Sequence, residues 1–454
     1  MPQDLRDFLR QAGEPTSVVS RRVSPKFEIP AILALLEKEK RFPMVLFENA
    51  DDTRGEPSGF RVLANAFADR ARLARFFGST PQDLPLKYLE RAAVRPPVRL
   101  VDDAPVQKNR RTGDDVRLTH LPVVTHNEKD AGPYLTAGAV ILKDPDTGIV
   151  NGAIQRMQLK GDRRLGLFMV PNGHNAQIFA KYQAQGRNAP CAIVLGHHPA
   201  FFMAMQHKGT MDDSEYEVAG GMLGEPLEVA RTLTQPNLEI PAHAEIIIEG
   251  EILHDLLEDE GPFGEYTHYY SPMRKSHVIH VTGLTYRDDA IFHDIFACHR
   301  DHHFLEGIVM ESQLREVLQR DHPRVKNLYL PPSGCCQFFC YVALAKRTDA
   351  EPRQVIDAIL RANMWVKYVI VVDPDIDVFD ESEVLWAVAT RVRASEDYAP
   401  FTGATGTAMD PTAKDGVPER GGIDATLPAD GSFPERVGLP KNLLARMSLA
   451  DYGL

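Results

Sequence analysis

Residues 244–253 read "AEIIIEGEIL" and residues 276–287 read "SHVIHVTGLTYR". Both are short runs of β-branched or alternating residues, the texture of strands rather than helices. Working outward, "YLTAGAVILKD" (134–144), "RLGLFMVP" (164–171), "APCAIVLG" (189–196) and "AIFHDIFAC" (290–298) share that texture and are bounded by Gly, Pro and Asp. Residues 101–300 therefore predict a β-rich domain, a barrel or a strongly curved sheet. Two helical pieces interrupt it: "HNAQIFAKYQAQG" (174–186), ending on Gly186, and "EPLEVARTL" (225–233).

On either side the pattern changes. Residues 1–100 mix short helical stretches, "IPAILALLEKEK" and "LANAFADRARLARFFG", with polar connectors, and read as a small α/β portion. After Arg300, Leu305, Ile308, Val309, Leu314, Val317 and Leu318 fall on one face of "DHHFLEGIVMESQLREVLQRD", which predicts a linker helix over 301–321. Beyond it "CQFFCYVALAK", "PRQVIDAILRA" and "VKYVIVV" alternate as a C-terminal α/β domain should, over 322–454. From about Ala404 the chain reads as an extended or partly ordered tail. The fold class is multidomain, α+β and α/β.

With 454 residues, 43% hydrophobic and 25% charged, the composition is that of a globular protein of two or three domains. A net charge of −12 without a Lys/Arg run opposes a nucleic-acid partner. The N-terminus lacks the apolar core of a signal peptide and no apolar run reaches the ~18 residues of a membrane span, so the expected location is the cytoplasm. Five cysteines without C-x-x-C spacing suggest buried small hydrophobes; Cys298, near several histidines, is a weak candidate thiol.

Three stretches carry polar groups suited to a cation. Asn151 opens "NGAIQR", His174 follows a Gly turn at a helix mouth in "VPNGHNAQIF", and Glu228 sits in "GGMLGEPLEVA". Singly they read as a hairpin turn, a capping histidine and a solvated helical acid. Together they supply two hard oxygens and an imidazole, a set suited to Mn²⁺ or Mg²⁺ with phosphate or water completing an octahedron. A fourth stretch, "EGPFGEY" (260–266), fixes Glu260 and Glu265 on a turn shaped by Gly261, Pro262 and Gly264.

"NGAIQR", "GHNAQI", "GEPLEVART", "PAHAEIIIEGEI", "EGPFGEY", "DPDIDVFDESEVLWAVATR" and "GGIDAT" stand in the order and spacing of the UbiD-like decarboxylases, which this chain resembles over about residues 100–425. The resemblance implies a split-barrel flavin domain joined by a helix to a C-terminal α/β domain. It also implies prenylated FMN from a separate flavin prenyltransferase, its phosphate bound through Mn²⁺ with K⁺ nearby, and reversible non-oxidative decarboxylation of an aromatic, heteroaromatic or α,β-unsaturated acid, releasing CO₂. Carried over residue by residue, Asn151, His174 and Glu228 would hold the metal. Ala153, Ile154, Gln155, Arg156 and Gly173 would join them in binding the cofactor.

In the same way Arg156, Glu260 and Glu265 would form the catalytic network. Two close carboxylates resist joint ionisation and a guanidinium between them splits their roles, so Arg156 and Glu260 would stay a charged pair while Glu265 exchanges the proton. His302 and Glu306, i and i+4 at the start of the linker helix, are the substrate candidates and favour a polar substituent on the acid. The family habit implies a homo-oligomer, dimer or hexamer, built largely through the C-terminal domain. Two other readings stay open: a catalytically silent flavin- and metal-binding subunit of a decarboxylase complex, and a metal-dependent hydrolase.

Overall fold

The strand Ile246–Glu260 runs antiparallel to Arg274–Tyr286, and this long pair is the spine of the molecule. Ladder irregularities after Glu249 and after Ile252 bend it, and at Gly250 a Cβ would lie 2.5 Å from the carbonyl oxygen of His280, so only glycine lets the strands approach there. The structure, a computed structural model, describes residues 4–11, 16–401, 406–407, 409–440, 443 and 446–453.

Nine strands form the central sheet. One side of the spine continues through Arg164–Leu167 and Met157–Leu159 to Tyr134–Leu135; the other continues through Ala189–Leu195 and Ala139–Lys143 to Val150–Ile154. Asn109–Thr112 also pairs with Arg274–Tyr286. Val150–Ile154 and Met157–Leu159 lie towards opposite ends of this order, yet only Gln155 and Arg156 join them. The sheet must curl to let so short a link span its seam, and Arg156 sits in that seam.

The run "AIFHDIFAC" belongs elsewhere. Its strand, Ile291–His293, pairs in parallel with Arg61–Ala64 and completes a four-stranded N-terminal sheet with Val45–Phe47 and Ser17–Val19. The segment 225–233 also differs from expectation: Glu228–Arg231 is a strand, antiparallel to Glu239–Pro241 and parallel to Arg99–Leu100. The helix lies one segment earlier, at Glu215–Leu223, and stops at Gly224, whose φ of 82° is left-handed. Low glycine propensity disguised it. Packing overrides propensity here, because a Cβ on Gly221 would stand 2.0 Å from the carbonyl oxygen of Val94.

The linker helix spans Arg300–Asp321. Leu305, Ile308, Val309, Leu314 and Leu318 are buried as expected, while Val317 is only half-buried. Polar residues are buried on its other sides, because the helix is packed between domains rather than on one. Asp301 accepts from the amides of Asn65 (2.9 Å) and Phe67 (2.6 Å), and Glu311 makes a two-pronged pair with Arg70 at 2.8 and 2.5 Å. Glu311 also accepts from the Leu330 amide at 3.1 Å.

The C-terminal domain is a five-stranded sheet ordered Val325–Tyr329, Phe339–Leu344, Tyr368–Val372, Arg420–Ala425, Tyr398–Phe401, with helices Glu351–Ala362 and Glu381–Arg391. Thus "GGIDAT" lies within a strand interior to the sheet, not in a loose tail. Ala404, where the tail was expected to begin, lies outside the described residues. Among the described residues no helix is long and apolar enough to cross a membrane.

Candidate active site

The seam of the curled sheet places Arg156 against the turn at the end of the long strand. Its Nε and Nη2 bond to the two oxygens of Glu260 at 3.0 and 3.1 Å, and its Nη1 bonds to Glu265. The guanidinium lies 4.4 Å from the ring centre of Phe168 and 4.7 Å from that of Phe263, so two phenyl faces and two carboxylates fix its plane. Burial alone would disfavour its charge; Glu265 and Glu260 outweigh that and raise its pKa.

The turn itself is anchored at every residue. The Gly261 amide donates to Tyr134 Oη (3.1 Å), the Gly264 amide to Asp130 Oδ1 (2.8 Å) and the Glu265 amide to the Tyr269 carbonyl (2.9 Å). A Cβ on Gly264 would meet Asn127 Nδ2 at 2.3 Å. Glu260 is fully buried, whereas Glu265, 8% exposed, faces a cavity of about 510 Å³. The two acids are therefore unequal: one fixes the arginine, the other meets the cavity.

Asn151, His174 and Glu215 line the same cavity. Asn151 is buried in the strand Val150–Ile154, not in a turn, and donates from Nδ2 to Asn175 Oδ1 at 2.6 Å, leaving Oδ1 for another partner. His174 is the first residue of the helix His174–Ala184, whose N-cap Gly173 supplies no side-chain cap. Those open amides suit a phosphate. Burial lowers the His174 pKa, with Lys208 adding to the effect, and a neutral imidazole is the form that binds metal.

Glu215 was not singled out from the sequence, since "SEYEVAGGML" looks like a glycine-rich turn. It is 2% exposed and accepts from the Gly152 amide at 3.1 Å. Burial pushes its carboxyl up to about 8, and no ion pair to it exists among the described residues. A buried carboxyl with no direct ion pair among the described residues, only the charge of Lys208 acting on it, fits a divalent cation together with a neutral imidazole and an amide oxygen.

Glu228 is not brought to this cavity. Its carboxylate is bonded to His243 and Arg99 on another sheet, and although burial opposes it, those two partners hold its pKa below the usual range. The strand at 228–231 turns it away, so the metal role expected of it does not fit the geometry. Ala153, Ile154, Gln155 and Gly173, expected around the cofactor, all line the cavity. Cys298 does not, and burial raises its thiol to about 12, which removes it as a nucleophile.

His302 and Glu306, on the linker helix, form another wall of the cavity and pair at 3.1 Å, with side chains 22% and 30% exposed. Burial disfavours the charge on His302, yet Glu306 and the Ala297 carbonyl hold its pKa up to about 9. Gln337 donates to the second Glu306 oxygen. Leu305, Val309, Met310, Tyr266 and Trp365 supply the apolar remainder of that wall.

Known proteins resemble this chain over most of its length. Residues 7–92, 99–300 and 303–425 match the N-terminal, Rift-related and C-terminal domains of 3-octaprenyl-4-hydroxybenzoate carboxy-lyase, the UbiD family. The chain is 33% identical to the anhydromevalonate phosphate decarboxylase of Methanothermobacter thermautotrophicus, covering 93% of this chain and 97% of that protein. It is similar in structure to the UbiD-class enzyme HmfF from Pelotomaculum thermopropionicum in complex with FMN, with a TM-score of 0.91, 36% identity and coverage of 99% and 100%. An evolved dimeric form of that enzyme in complex with prFMN matches at TM-score 0.88 and 35% identity, again covering 99% and 100%. Whole-length identity above 30%, three family domains in order and a carboxylate–arginine–carboxylate seam converge: the chain belongs to the UbiD family of carboxy-lyases.

Proposed function

We propose that this protein decarboxylates, reversibly and without net oxidation, an aromatic, heteroaromatic or α,β-unsaturated acid, using prenylated FMN. The observation that carries the reading is the pairing of Arg156 with a buried Glu260 and a cavity-facing Glu265. The electron sink that loss of CO₂ requires is what prenylated FMN supplies when bound. Arg156 orients the substrate carboxylate, Glu260 holds Arg156, and Glu265 gives a proton to the carbon that CO₂ leaves and recovers it in the reverse direction. Leu305, Val309 and Trp365 exclude water around that carbon.

Asn151, His174 and Glu215 would hold Mn²⁺ at the cofactor phosphate, with K⁺ as companion ion and the amides after Gly173 contacting the phosphate. Glu215→Gln is expected to lose most of the bound manganese and Glu228→Gln to keep it, measured by metal analysis after gel filtration; the opposite pattern restores Glu228 as ligand.

For the substrate, Glu306 is the guide. His302 already neutralises it, and its remaining lone pairs accept from a neutral donor such as a hydroxyl or ring N–H. An additional anion is repelled at Glu306 itself; besides the shared Arg156 and the committed His302, only Lys208 on the lining would attract one, and it already acts on the charges of His174, Glu215 and Glu306. The relative from Methanothermobacter is named for a phosphate-bearing acid, and this wall argues against carrying that substrate over. Under this reading the enzyme works in the cytoplasm as a homo-oligomer, and a flavin prenyltransferase supplies its cofactor.

The test is anaerobic purification after co-expression with a flavin prenyltransferase, then a mass spectrum of the released cofactor and CO₂ assays on hydroxyaryl, azole and phosphorylated alkenoic acids. Prenylated FMN with turnover of donor-bearing rings is expected. Plain flavin or none moves the function to a silent subunit or a hydrolase, and turnover of the phosphorylated acid alone overturns the substrate class.

A further inference from the structure

We propose that His268, His303 and Cys335 form a zinc site outside the cavity, tying the loop that carries Glu265 to the linker helix and to the C-terminal domain. One potential ligand atom from each residue lies within 4.8 Å of the others. None of the three lines the cavity. They come from three separate parts of the chain, so their approach is made by tertiary packing and not by local sequence.

The geometry around each residue prepares it for a metal. His303, buried in the first turns of the linker helix, places Nε2 2.8 Å from the carbonyl oxygen of Tyr266. Donating N–H there fixes the tautomer and leaves the Nδ1 lone pair as the ligand, the arrangement that a backbone carbonyl imposes on metal-binding histidines. His268 follows Glu265 by three residues, and its amide donates to the Glu265 carbonyl at 2.9 Å. Its φ is 62°, and Cys335 has φ of 56°, both in the left-handed region that residues with side chains rarely adopt. Both conformations belong to tight turns, one closed on Glu265 and one ending the short helix Pro332–Gly334, and these turns fix where the two side chains stand.

The donor set selects the ion. One thiolate and two imidazoles suit zinc in a tetrahedron, with water in the fourth position because His268 is exposed. No hard oxygen belongs to the cluster, so it does not compete for manganese with Asn151 and Glu215. Zinc binding converts the Cys335 thiol to thiolate and releases one proton to solvent, with no change in oxidation state.

The ions would act on position, not on chemistry. Glu265, Tyr266 and His268 share one short loop, and a metal at its end would hold Glu265 at the cavity. This inference concerns residues apart from the flavin site, so it can fail while the decarboxylase reading stands.

The experiment uses the full chain, stripped with chelator, reloaded with zinc, desalted and analysed for metal. In a Glu215→Gln parent, where the cavity site no longer takes a divalent ion, about one zinc per chain is expected, falling at least tenfold when Cys335→Ser or His268→Ala is added. Cobalt(II) in place of zinc should give a thiolate charge-transfer band in the near ultraviolet that Cys335→Ser abolishes. His268 is exposed, so its variant should fold, and zinc should raise the melting temperature of the Glu215→Gln parent but not of that parent carrying His268→Ala. No retained zinc in the Glu215→Gln parent, parent-level zinc after adding Cys335→Ser or His268→Ala, or cobalt without the thiolate band would each overturn the site.

Discussion

Glu265→Gln stops CO₂ release, with a loss of about 10²–10⁴-fold, the usual worth of a positioned general acid. Glutamine keeps the volume and can keep an oxygen on Arg156 Nη1, but it has no exchangeable carboxyl proton to give. Cofactor and metal binding should survive, because Glu265 is not among the groups proposed to hold the cation. Glu260→Gln differs in kind, since it loosens Arg156 from a fully buried partner and disturbs orientation as well as proton supply. The discriminating measurement is deuterium transfer from solvent to the product carbon alongside CO₂ release. Wild-type turnover in Glu265→Gln would remove this residue from the proton path.

Arg70→Ala lowers stability by about 3–5 kcal/mol, the cost of leaving a buried charge without its partner. Glu311 is fully buried in the linker helix, and both its oxygens face the Arg70 guanidinium, which also lies 5.3 Å from the Tyr329 ring centre. The remaining acceptor contact, from the Leu330 amide, cannot neutralise it. Replacing both partners, Arg70→Met with Glu311→Leu, should recover most of the loss, because the pair is expensive to break and cheap to omit. Denaturant midpoints of the two variants and the wild type test this. A wild-type midpoint for Arg70→Ala alone would mean that solvent reaches Glu311.

What the sequence disclosed depended on whether a pattern was local. The strand runs, the helix at 174 and the linker helix announced themselves because periodicity survives packing. Arg156, Glu260 and Glu265 were legible because the turn residues around them are unusual and the family resemblance is specific. Glu215 was hidden by two glycines, Gly220 set against Pro96 and Gly221 against the Val94 and Arg91 carbonyls, that serve close packing rather than helix propensity, so its helix looked like a turn. Glu228 drew attention for a neighbourhood that the fold assigns to a different sheet. The rings of Phe168 and Phe263 around Arg156 had no sequence signal at all, since nothing in a phenylalanine says which cation it will face.

The N-terminal sheet carries a further consequence for how the molecule is made. Its fourth strand, Ile291–His293, follows the entire central domain, while its partner Arg61–Ala64 precedes it. A chain emerging from the ribosome therefore holds its first sheet with an open edge until the curled sheet has been synthesised, and that edge is available for wrong pairing meanwhile. Closing it is a late, long-range event that brings the linker helix, starting seven residues later, against Asn65 and Phe67. Assembly order and catalytic geometry are thus coupled: the helix that walls the cavity cannot settle until the first domain is complete.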